Sequence, residues 1–409
     1  MQNKLHITKQ KIEKASLWKE GEPILKDLDM EITERCNNNC LHCGINLPAD
    51  DFGAAARELP TEAIKEILRE AASLGCMTVR FTGGEPLLRK DFEDVYLYAR
   101  KIGLKVLLFT NATLVTPPLA ELFSQIPPLE KIEVSVYGMK KDSYESITRA
   151  PGSFESSWRG VNLLLERNVP FVVKSALLPH NKEEVEAFEN FASTIPWMHR
   201  PPSYSIFFDL HCRRNEKKNQ TIRNLRPTPQ EGVEFLARKE KYVEETKAFC
   251  SKFVGPAGDN LFSCGAGMGA AWVDAYGKVQ LCMSLRHPDT VYDLSKGTLK
   301  EAMTCFFPEV RKMKASHPDY LRRCARCFLK GLCEQCPGKS WTEHGTLDTP
   351  VEYLCEVAHT QARYLGLLKD RELAWEVEDW RQRIRYVSEE RENDSSSHSG
   401  SQGFSGWSL

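Results

Sequence analysis

Three cysteines near the start of the chain have a spacing that suits an iron–sulfur cluster. Cys36, Cys40 and Cys43 form a C-x₃-C-x₂-C pattern at the end of a predicted strand. Three thiolates can bind three irons of a four-iron, four-sulfur cluster and leave the fourth iron open. Because an open iron can bind a small molecule, the pattern indicates chemistry at the cluster as well as electron transfer.

Two simpler interpretations of these cysteines are a zinc site and three unrelated buried thiols. A structural zinc ion takes four ligands, usually from paired C-x₂-C units. His42 is available as a fourth ligand, but it lies between two of the cysteines and is poorly placed to complete the same tetrahedron. The spacing therefore favours the cluster.

A second motif, Thr82-Gly83-Gly84-Glu85-Pro86, also comes at the end of a predicted strand. Together the two motifs resemble the radical S-adenosylmethionine (SAM) superfamily. The resemblance implies that the open iron chelates the amino and carboxylate groups of SAM. It also implies that the backbone of Gly83, Gly84, Glu85 and Pro86 binds the SAM amino group.

Further SAM contacts follow from this resemblance and from positions at the strand ends. Ser135 ends the fourth predicted strand, where the family places a polar SAM-binding residue. Asn111 follows the third strand. Arg149 is either a bidentate partner for the SAM carboxylate or a surface ion-pair residue. Lys174 and Ser175, in the fifth strand, are secondary candidates.

A second set of cysteines lies in the C-terminal half. Cys264 is followed by Gly277 and Cys282, then by a C-x₂-C-x₅-C-x₂-C run and a final cysteine. These later cysteines are Cys324, Cys327, Cys333, Cys336 and Cys355. Since C-x₂-C pairs also bind zinc, the alternative is a pair of zinc ribbons.

This spacing closely resembles the SPASM extension found on many radical SAM enzymes, except that two residues instead of three separate Cys333 from Cys336. The resemblance implies two auxiliary clusters, and therefore three [4Fe-4S] clusters in all. The first auxiliary cluster takes Cys264, Cys282 and Cys336, and its fourth iron is open or has another ligand. The second takes Cys324, Cys327, Cys333 and Cys355.

Four cysteines fall outside both patterns: Cys76, Cys212, Cys250 and Cys305. A buried cysteine usually acts as a small apolar side chain, so we expect these to be structural. Cys212 is the exception to watch, because it comes near the end of the sixth predicted strand and could face the active site.

Composition excludes several classes of protein. The 409 residues include 55 basic and 56 acidic side chains, without the basic excess of a nucleic-acid-binding protein. No apolar run reaches membrane-spanning length, and the N-terminus lacks the apolar core of a signal peptide. Fourteen cysteines in such a chain indicate metal binding or catalysis rather than disulfides. We therefore expect a cytoplasmic protein that binds neither nucleic acid nor membrane.

Short apolar strands alternate with amphipathic helices in the first half of the chain. Strands are predicted over 28–33, 78–82, 105–110, 131–136, 171–177 and 203–210. Helices are predicted over 61–74, 91–102, 117–124, 154–167 and 183–193. The alternation predicts parallel strands, in an open sheet or a barrel. The family resemblance favours an α/β fold with a partial (β/α)₆ TIM-type barrel, its cluster lying at the C-terminal ends of the strands.

The rest of the chain completes a division into six segments. These are an N-terminal arm (1–27), the barrel (28–229), a connecting helix (230–263), a cysteine-rich SPASM domain (264–359), a C-terminal helix (360–393) and a disordered tail (394–409). Basic residues over 213–226 indicate a solvated loop, or else a contact with an acidic peptide. The tail's aromatic residues could instead dock on a partner.

The resemblance implies a radical mechanism. The cluster of Cys36, Cys40 and Cys43 reduces SAM to methionine and a 5′-deoxyadenosyl radical, which abstracts hydrogen from an unactivated carbon. Auxiliary clusters fit an outcome that releases an electron, such as a thioether, a carbon–carbon crosslink or a carbonyl. The predicted cofactors are SAM and the clusters, and a predicted partner is a reductant such as flavodoxin or ferredoxin.

The substrate prediction also rests on the resemblance. SPASM proteins mostly act on peptides or proteins, so we predict maturation of a ribosomally made peptide, with a separate leader-binding protein or the C-terminal helix recognising the leader. Met283 directly after Cys282 disfavours sulfatase maturation, which uses an aspartate base there, and Asp274 is not assigned as that base.

One alternative is a SPASM dehydrogenase or epimerase acting on a small molecule such as a sugar or aminoglycoside. The other is a non-enzymatic iron–sulfur electron carrier or zinc scaffold, which would need no Gly-Gly-Glu segment.

Overall fold

The computed structural model describes residues 25–44, 47–210, 215–253 and 255–384, and the backbone of two short paired strands, β1 (Trp18–Lys19) and β2 (Glu22–Pro23). The predicted tail and Cys212 lie outside the described residues, as does most of the predicted N-terminal arm. Across the described ranges, no helix has both the length and the apolar character needed to cross a bilayer.

Six parallel strands form the main part of one sheet. In chain order the strands of this half are β3 (Asp27–Thr33), β4 (Arg35–Cys36), β5 (Leu47–Pro48), β6 (Thr78–Gly83), β7 (Lys105–Thr110), β8 (Leu129–Ser135), β9 (Phe171–Ala176) and β10 (Ser203–Ser205). The sheet runs β3-β6-β7-β8-β9-β10, so each strand pairs with the next one along the chain. β4 and β5 pair separately beside the cysteine loop. The predicted α/β fold, with the strand order of a partial (β/α)₆ barrel, is confirmed.

The helices of this half cover one face of the sheet. They are α1 (Phe52–Arg57), α2 (Thr61–Ser73), α3 (Phe92–Lys101), α4 (Pro117–Gln125), α5 (Lys141–Thr148), α6 (Ser153–Glu166) and α7 (Val185–Ser193). α2 shows why they form: Ile64, Ile67, Leu68 and Ala71 make one buried face, as the 3.6-residue period predicts. These side chains join the core cluster that the strands supply from alternate positions, such as Val79.

The cysteine-rich region begins by extending the same sheet. β11 (Ala270–Val273) pairs in parallel with the free side of β3, and the antiparallel strands β12 (Lys278–Gln280) and β13 (Tyr292–Asp293) follow. Gly277 has a φ of +78° in the turn between β11 and β12, which gives a physical reason for glycine at this place in the motif. The barrel and the cysteine-rich region therefore share one nine-stranded sheet.

Helices and short turns make up the rest of the described chain. The helices are α8 (Glu216–Leu225), α9 (Pro229–Ala237), α10 (Tyr242–Phe253), α11 (Leu299–Glu301), α12 (Phe307–Arg311), α13 (Pro337–His344) and α14 (Glu352–Tyr364). Short 3₁₀ or π-helical turns occur at Pro86–Leu88, Lys182–Glu184, Pro288–Thr290, Leu294–Lys296, Ala302–Phe306, Tyr320–Cys324 and Phe328–Gly331.

The chain after β9 differs from its prediction. The sixth strand was expected over 203–210, but β10 ends at Ser205, because Phe208 and Leu210 pack against Ile222 and Leu225 of α8 instead. The expected solvated loop over 213–226 is wrong in its described part, which contains α8. Asn215 caps this helix, since its side chain accepts a hydrogen bond from the N–H of Lys218 at 3.0 Å.

Two basic residues of that segment pair within the protein. Arg223 forms ion pairs with Glu216 and Glu343, and Arg226 pairs with Glu343. Nε of Arg226 also donates to the carbonyl of Phe208 at 2.7 Å. These two cations therefore hold α8 in place.

Two predicted helices are interrupted. The connecting helix expected within 230–263 consists of two helices, because α9 packs on α14 whereas α10 packs beside Phe328–Gly331. The helix expected over 360–393 is wrong as a continuous element, since α14 ends at Tyr364 and Gly366 follows with a φ of +76°. The N–H of Leu367 donates to Ala362 O at 2.8 Å, the pattern of a glycine-ended helix. The chain beyond residue 384 lies outside the described residues.

Candidate functional site

The structure brings Cys36, Cys40 and Cys43 together in the loop that follows β4. Cys36 is 9% exposed and Cys40 is 7% exposed, whereas Cys43 is half-buried. Burial raises the pKa of Cys36 to about 12, and the charges of Glu85 and Cys43 act in the same direction. The thiolate form therefore needs a cation beside it, and iron provides one. The donor set and its burial fit a cluster with one open iron.

The end of α5 holds this loop in place. The N–H of Asn39 donates to Thr148 O at 2.8 Å, and the N–H of Leu41 donates to Ile147 O at 2.9 Å. The last carbonyls of a helix have no partners within the helix, so they are available to a neighbouring loop. The loop conformation thus depends on where α5 ends.

The Gly-Gly-Glu segment packs directly against the same loop. The N–H of Gly84 donates to Thr33 O at 2.8 Å, and the N–H of Glu85 donates to Arg35 O at 2.9 Å. A Cβ on Gly83 would lie 2.0 Å from Thr33 O, so only glycine allows this approach. Because an ammonium group only donates hydrogen bonds, the backbone of this segment could bind one only through its carbonyl oxygens.

The Glu85 side chain joins the segment to the next strand. It is 1% exposed and accepts hydrogen bonds from Thr110 Oγ1 at 2.9 Å and from the N–H groups of Asn111 and Leu87 at 2.8 and 3.1 Å. Burial raises the pKa of Glu85 to about 7, although these hydrogen bonds favour the ionised form. Pro86 follows as a buried residue at the start of a 3₁₀ turn. The carboxylate therefore positions the ends of β6 and β7.

Asn111 also contacts the cysteine loop, as its place after β7 predicted. Its Nδ2 lies 3.0 Å from Asn37 Oδ1 and 3.9 Å from Cys36 Sγ. Its Oδ1 accepts hydrogen bonds from the N–H and hydroxyl of Thr113. Asn37 and Thr113, joined by a 2.7 Å hydrogen bond, were not predicted. Thr113 follows a strand end, a position that could have indicated its role.

Ser135 and Arg149, the other predicted SAM contacts, each lie at the end of an element. Ser135 is half-buried as the last residue of β8. Arg149 is exposed, has a φ of +53°, and follows Thr148, whose carbonyl holds the loop. Ser135 therefore ends the fourth strand of the barrel as predicted, whereas Arg149 ends a helix.

Lys174 and Ser175 are less suited to contact a cofactor. The Lys174 ammonium pairs with Glu133 at 3.1 Å and lies 3.1 Å from the centre of the Phe109 ring. Burial lowers the pKa of Lys174 to about 8, while Glu133 opposes this shift. The Ser175 side chain is buried. The Lys174 ammonium therefore already has interaction partners within the barrel.

Cys264, Cys282 and Cys336 form a second group of thiols. Burial raises the pKa of Cys282 to about 11, and the neighbouring Cys336 and Cys264 raise it further. The shorter C-x₂-C spacing therefore still places Cys336 with the other two. Beside Cys336 lies Lys339, which is 4% exposed and whose ammonium is 3.0 Å from Asp209 Oδ1, after β10. This ion pair links the barrel to the second group.

Four cysteines line a single cavity and form a third group. They are Cys324, Cys327, Cys333 and Cys355. The same cavity is lined by Arg323, His359 and Trp375. Among the described residues, buried Nε of Arg323 has no hydrogen-bond acceptor, and a cluster sulfur would supply one. The four thiols and this unpaired donor fit a four-iron cluster.

A single metal ion is a poorer fit to the described side chains. In the described ranges, no group of three or more His, Cys, Asp or Glu side chains is arranged to hold one ion. The ligands of a four-iron cluster do not have to converge on one point, because each binds a different iron. Thiols that do not converge on one ion are therefore compatible with an iron–sulfur cluster.

The cysteines outside the patterns lie in other surroundings. Cys76 is buried in the main core, where its thiol donates to Thr78 O at 3.2 Å. Cys250 is buried in a smaller core with Phe328, and Cys305 is exposed. These places agree with structural roles for Cys76 and Cys250.

A buried ion pair near the end of β3 was not predicted. The Glu31 carboxylate is 1% exposed and accepts a hydrogen bond from Nη2 of Arg286, which is 255 positions away in the chain. Burial raises the pKa of Glu31, whereas Arg286 lowers it and the nearby Asp274 raises it. Asp274 itself accepts hydrogen bonds from the N–H groups of Tyr276 and Lys278, so it holds the β11–β12 turn.

Replacing Arg286 by leucine should destabilise the protein by about 3–5 kcal/mol, because Glu31 would stay buried without its cation. The folded-state pKa of Glu31 lies above its unfolded value, so the native state binds more protons between these two pKa values. Removing Arg286 raises this folded-state pKa further, so the variant loses more stability than the wild type as pH rises. Urea unfolding should show a larger loss at pH 8 than at pH 5. Arg69→Leu, which breaks an exposed pair with Glu66, is the control and should change little. Equal losses at both pH values would contradict this account.

Comparison with known proteins finds a family match within the barrel. Residues 30–192 match the Radical SAM superfamily model. This match runs from within β3 to within α7. It includes the first cysteine group, the Gly-Gly-Glu segment, Asn111, Ser135 and Arg149. The chain thus carries a radical SAM domain, and the prediction of an enzyme is confirmed.

Individual relatives extend over more of the chain. The AdoMet-dependent heme synthase of Methanosarcina barkeri is 25% identical over 348 residues, which cover 77% of this chain and 92% of that protein. Streptococcus suis SuiB bound to its precursor peptide SuiA matches with a TM-score of 0.61 and 15% identity, over 82% of this chain and 76% of SuiB. Native anSMEcpe with bound AdoMet and Cp18Cys peptide matches with a TM-score of 0.56 and 16% identity, over 90% of this chain and 100% of that one. The last two show a shared fold.

Proposed function

We propose that this chain, whose residues 30–192 form a radical SAM domain, takes a hydrogen atom from an unactivated carbon of a substrate and releases an electron from it. The observation that carries the proposal is the sorting of ten cysteines into three groups. One group adjoins the Gly-Gly-Glu segment, and two lie in the C-terminal region. By resemblance to SPASM proteins, the three groups hold one SAM-binding and two auxiliary [4Fe-4S] clusters.

The first group and its supports prepare the SAM site. When bound, the cluster and SAM together supply a 5′-deoxyadenosyl radical, which is the hydrogen-abstracting species. Gly83 and Gly84 let β6 approach the cysteine loop closely, and Glu85 fixes the end of β7 beside it. Ser135 is a proposed polar contact of SAM, and Arg149 is the proposed partner of the SAM carboxylate. Their value lies in holding the reacting atoms in place, because small displacements cost large factors in rate.

The second and third cysteine groups are proposed to accept the electron that the reaction releases. Lys339 lies buried beside Cys336, and its charge lowers the pKa of both Cys336 and Cys333. One cation therefore adjoins both groups. Its ion pair with Asp209 fixes this region to the barrel end after β10. We therefore assign the C-terminal cysteines to electron transfer away from the substrate, which fits an oxidative product such as a thioether, a crosslink or a carbonyl.

A peptide is the substrate class that we propose first. SuiB and anSMEcpe, which share the fold, were each solved with a bound peptide. Met283 stands after Cys282, where sulfatase-maturating enzymes use an aspartate, so a different peptide modification is proposed. A reductant protein and a leader-binding protein are proposed as partners.

Heme synthesis is a second candidate, favoured by one observation. The AdoMet-dependent heme synthase of Methanosarcina barkeri matches this chain over 92% of the length of that enzyme. That match covers 77% of this chain, so it extends well beyond the radical SAM domain at residues 30–192. An iron porphyrin would need the same combination of hydrogen abstraction and electron release.

Anaerobically reconstituted protein should cleave SAM when reduced, and the right substrate should increase this cleavage. The test supplies SAM and dithionite, then compares peptides encoded beside the gene with Fe-coproporphyrin III, each deuterated at the candidate carbon. Deuterium in 5′-deoxyadenosine identifies the substrate class. Transfer from a peptide supports the first candidate, and heme formation supports the second instead. Zinc in place of iron, or no SAM cleavage, would contradict the proposed function.

A further inference from the structure

Arg323 touches the third cysteine group directly. Its Nη2 lies 3.5 Å from Cys355 Sγ, within hydrogen-bond range of a sulfur acceptor. Lys330 also lines the cavity, but its ammonium donates to the carbonyl of Gln335 at 3.0 Å. Arg323 is therefore the cation whose hydrogen bond reaches a sulfur of this group.

The guanidinium of Arg323 is held from two other sides. Glu352 accepts two parallel hydrogen bonds, from Nη1 at 2.7 Å and from Nη2 at 2.8 Å. The ring of Trp375 lies 4.8 Å from the guanidinium carbon. Glu352 is 63% exposed and its charge is screened by water, whereas Arg323 is only 15% exposed. The positive charge therefore acts on Cys355 more strongly than the negative charge beyond it.

His359 contributes a neutral contact to the same sulfur. Its Nε2 accepts a hydrogen bond from the N–H of Ala374 at 3.2 Å, so the ring proton is on Nδ1. Nδ1 donates to the carbonyl of Cys355 at 2.8 Å and lies 3.6 Å from its sulfur. This tautomer leaves Arg323 as the charged partner of Cys355.

We propose that Arg323 is a positioning residue that raises the reduction potential of the cluster held by Cys324, Cys327, Cys333 and Cys355. Reduction adds one electron and one negative charge to the cluster, and no bond forms or breaks. A fixed cation and an N–H donor at a ligand sulfur stabilise the reduced form more than the oxidised form. The inference rests on the proposed function, in which this cluster accepts an electron.

The test is a redox titration of the reconstituted full chain, followed by the electron paramagnetic resonance of its reduced clusters. Mediator dyes and dithionite set the potential. Arg323→Gln should lower the equilibrium constant for reduction of one cluster about tenfold. This change corresponds to a reduction potential lower by about 59 mV for one electron. Arg323→Lys keeps the positive charge but loses the planar guanidinium, so it should shift the reduction potential less. The other clusters should keep their potentials.

Arg322→Gln is the matched control, since Arg322 is the preceding residue and its side chain is 70% exposed. It should leave every potential unchanged. An unchanged potential in Arg323→Gln with full iron content would overturn the inference. Loss of this cluster from both Arg323 variants would also overturn it, because Arg323 would then serve cluster binding. A wild-type protein with only one kind of cluster signal would instead contradict the proposed function.

Discussion

The C36A/C40A/C43A variant is expected to bind about eight irons per chain, where the wild type binds about twelve, and to release no 5′-deoxyadenosine. The three thiols share one loop, so their removal should empty one site. The other groups depend on different elements, among them β12, α13 and α14. Auxiliary clusters should therefore remain bound while SAM cleavage is lost. Iron analysis and chromatography of the products provide the two measurements.

Cys305→Ala is the control for the triple variant. Cys305 is exposed and falls outside the three groups, so its loss should change neither iron content nor SAM cleavage. Circular dichroism should confirm that the triple variant keeps its fold. Iron content near the wild-type value in the triple variant would contradict the assignment of the first group.

Gly84→Ala is expected to reduce SAM cleavage by about a hundredfold, because a displacement near 1 Å at a catalytic site has an effect of that order. A Cβ on Gly84 would lie 2.1 Å from Arg35 O and 2.5 Å from Arg35 C. These are backbone atoms of the residue just before Cys36, so they cannot move aside without shifting the cysteine loop. Overpacking of this kind also costs about 1–3 kcal/mol of stability. Product formation and urea unfolding measure the two effects.

Gly255→Ala is the matched control for this change. The nearest atom to its new Cβ would be in the Trp380 ring at 3.9 Å, an ordinary van der Waals distance. Gly255→Ala should therefore keep wild-type SAM cleavage. Wild-type cleavage by Gly84→Ala as well would show that the loop tolerates displacement, contrary to the close packing of β6 on the cysteine loop.

The barrel was predicted well because its signals are local. Strand β7 was predicted with its observed bounds, and the helix predicted over 61–74 is observed as α2 over Thr61–Ser73. Both follow from the periodicity of apolar residues within a single element. Gly366 was also a local signal for the end of α14, and the apolar residues beyond it were wrongly taken to continue that helix. They pack instead in the smaller core beside Phe328.

The cysteine spacing predicted the three groups of thiols through its resemblance to the radical SAM and SPASM patterns. Only the tertiary structure decided what surrounds those thiols. The pairing of β11 with β3, the Glu31–Arg286 ion pair and the contact of Arg323 with Cys355 join segments that no local pattern connects. Such contacts depend on how separate elements pack, and a buried charge such as Glu31 is tolerated only where that packing brings a partner to it. The electrostatic surroundings of the candidate clusters are therefore properties of the folded chain.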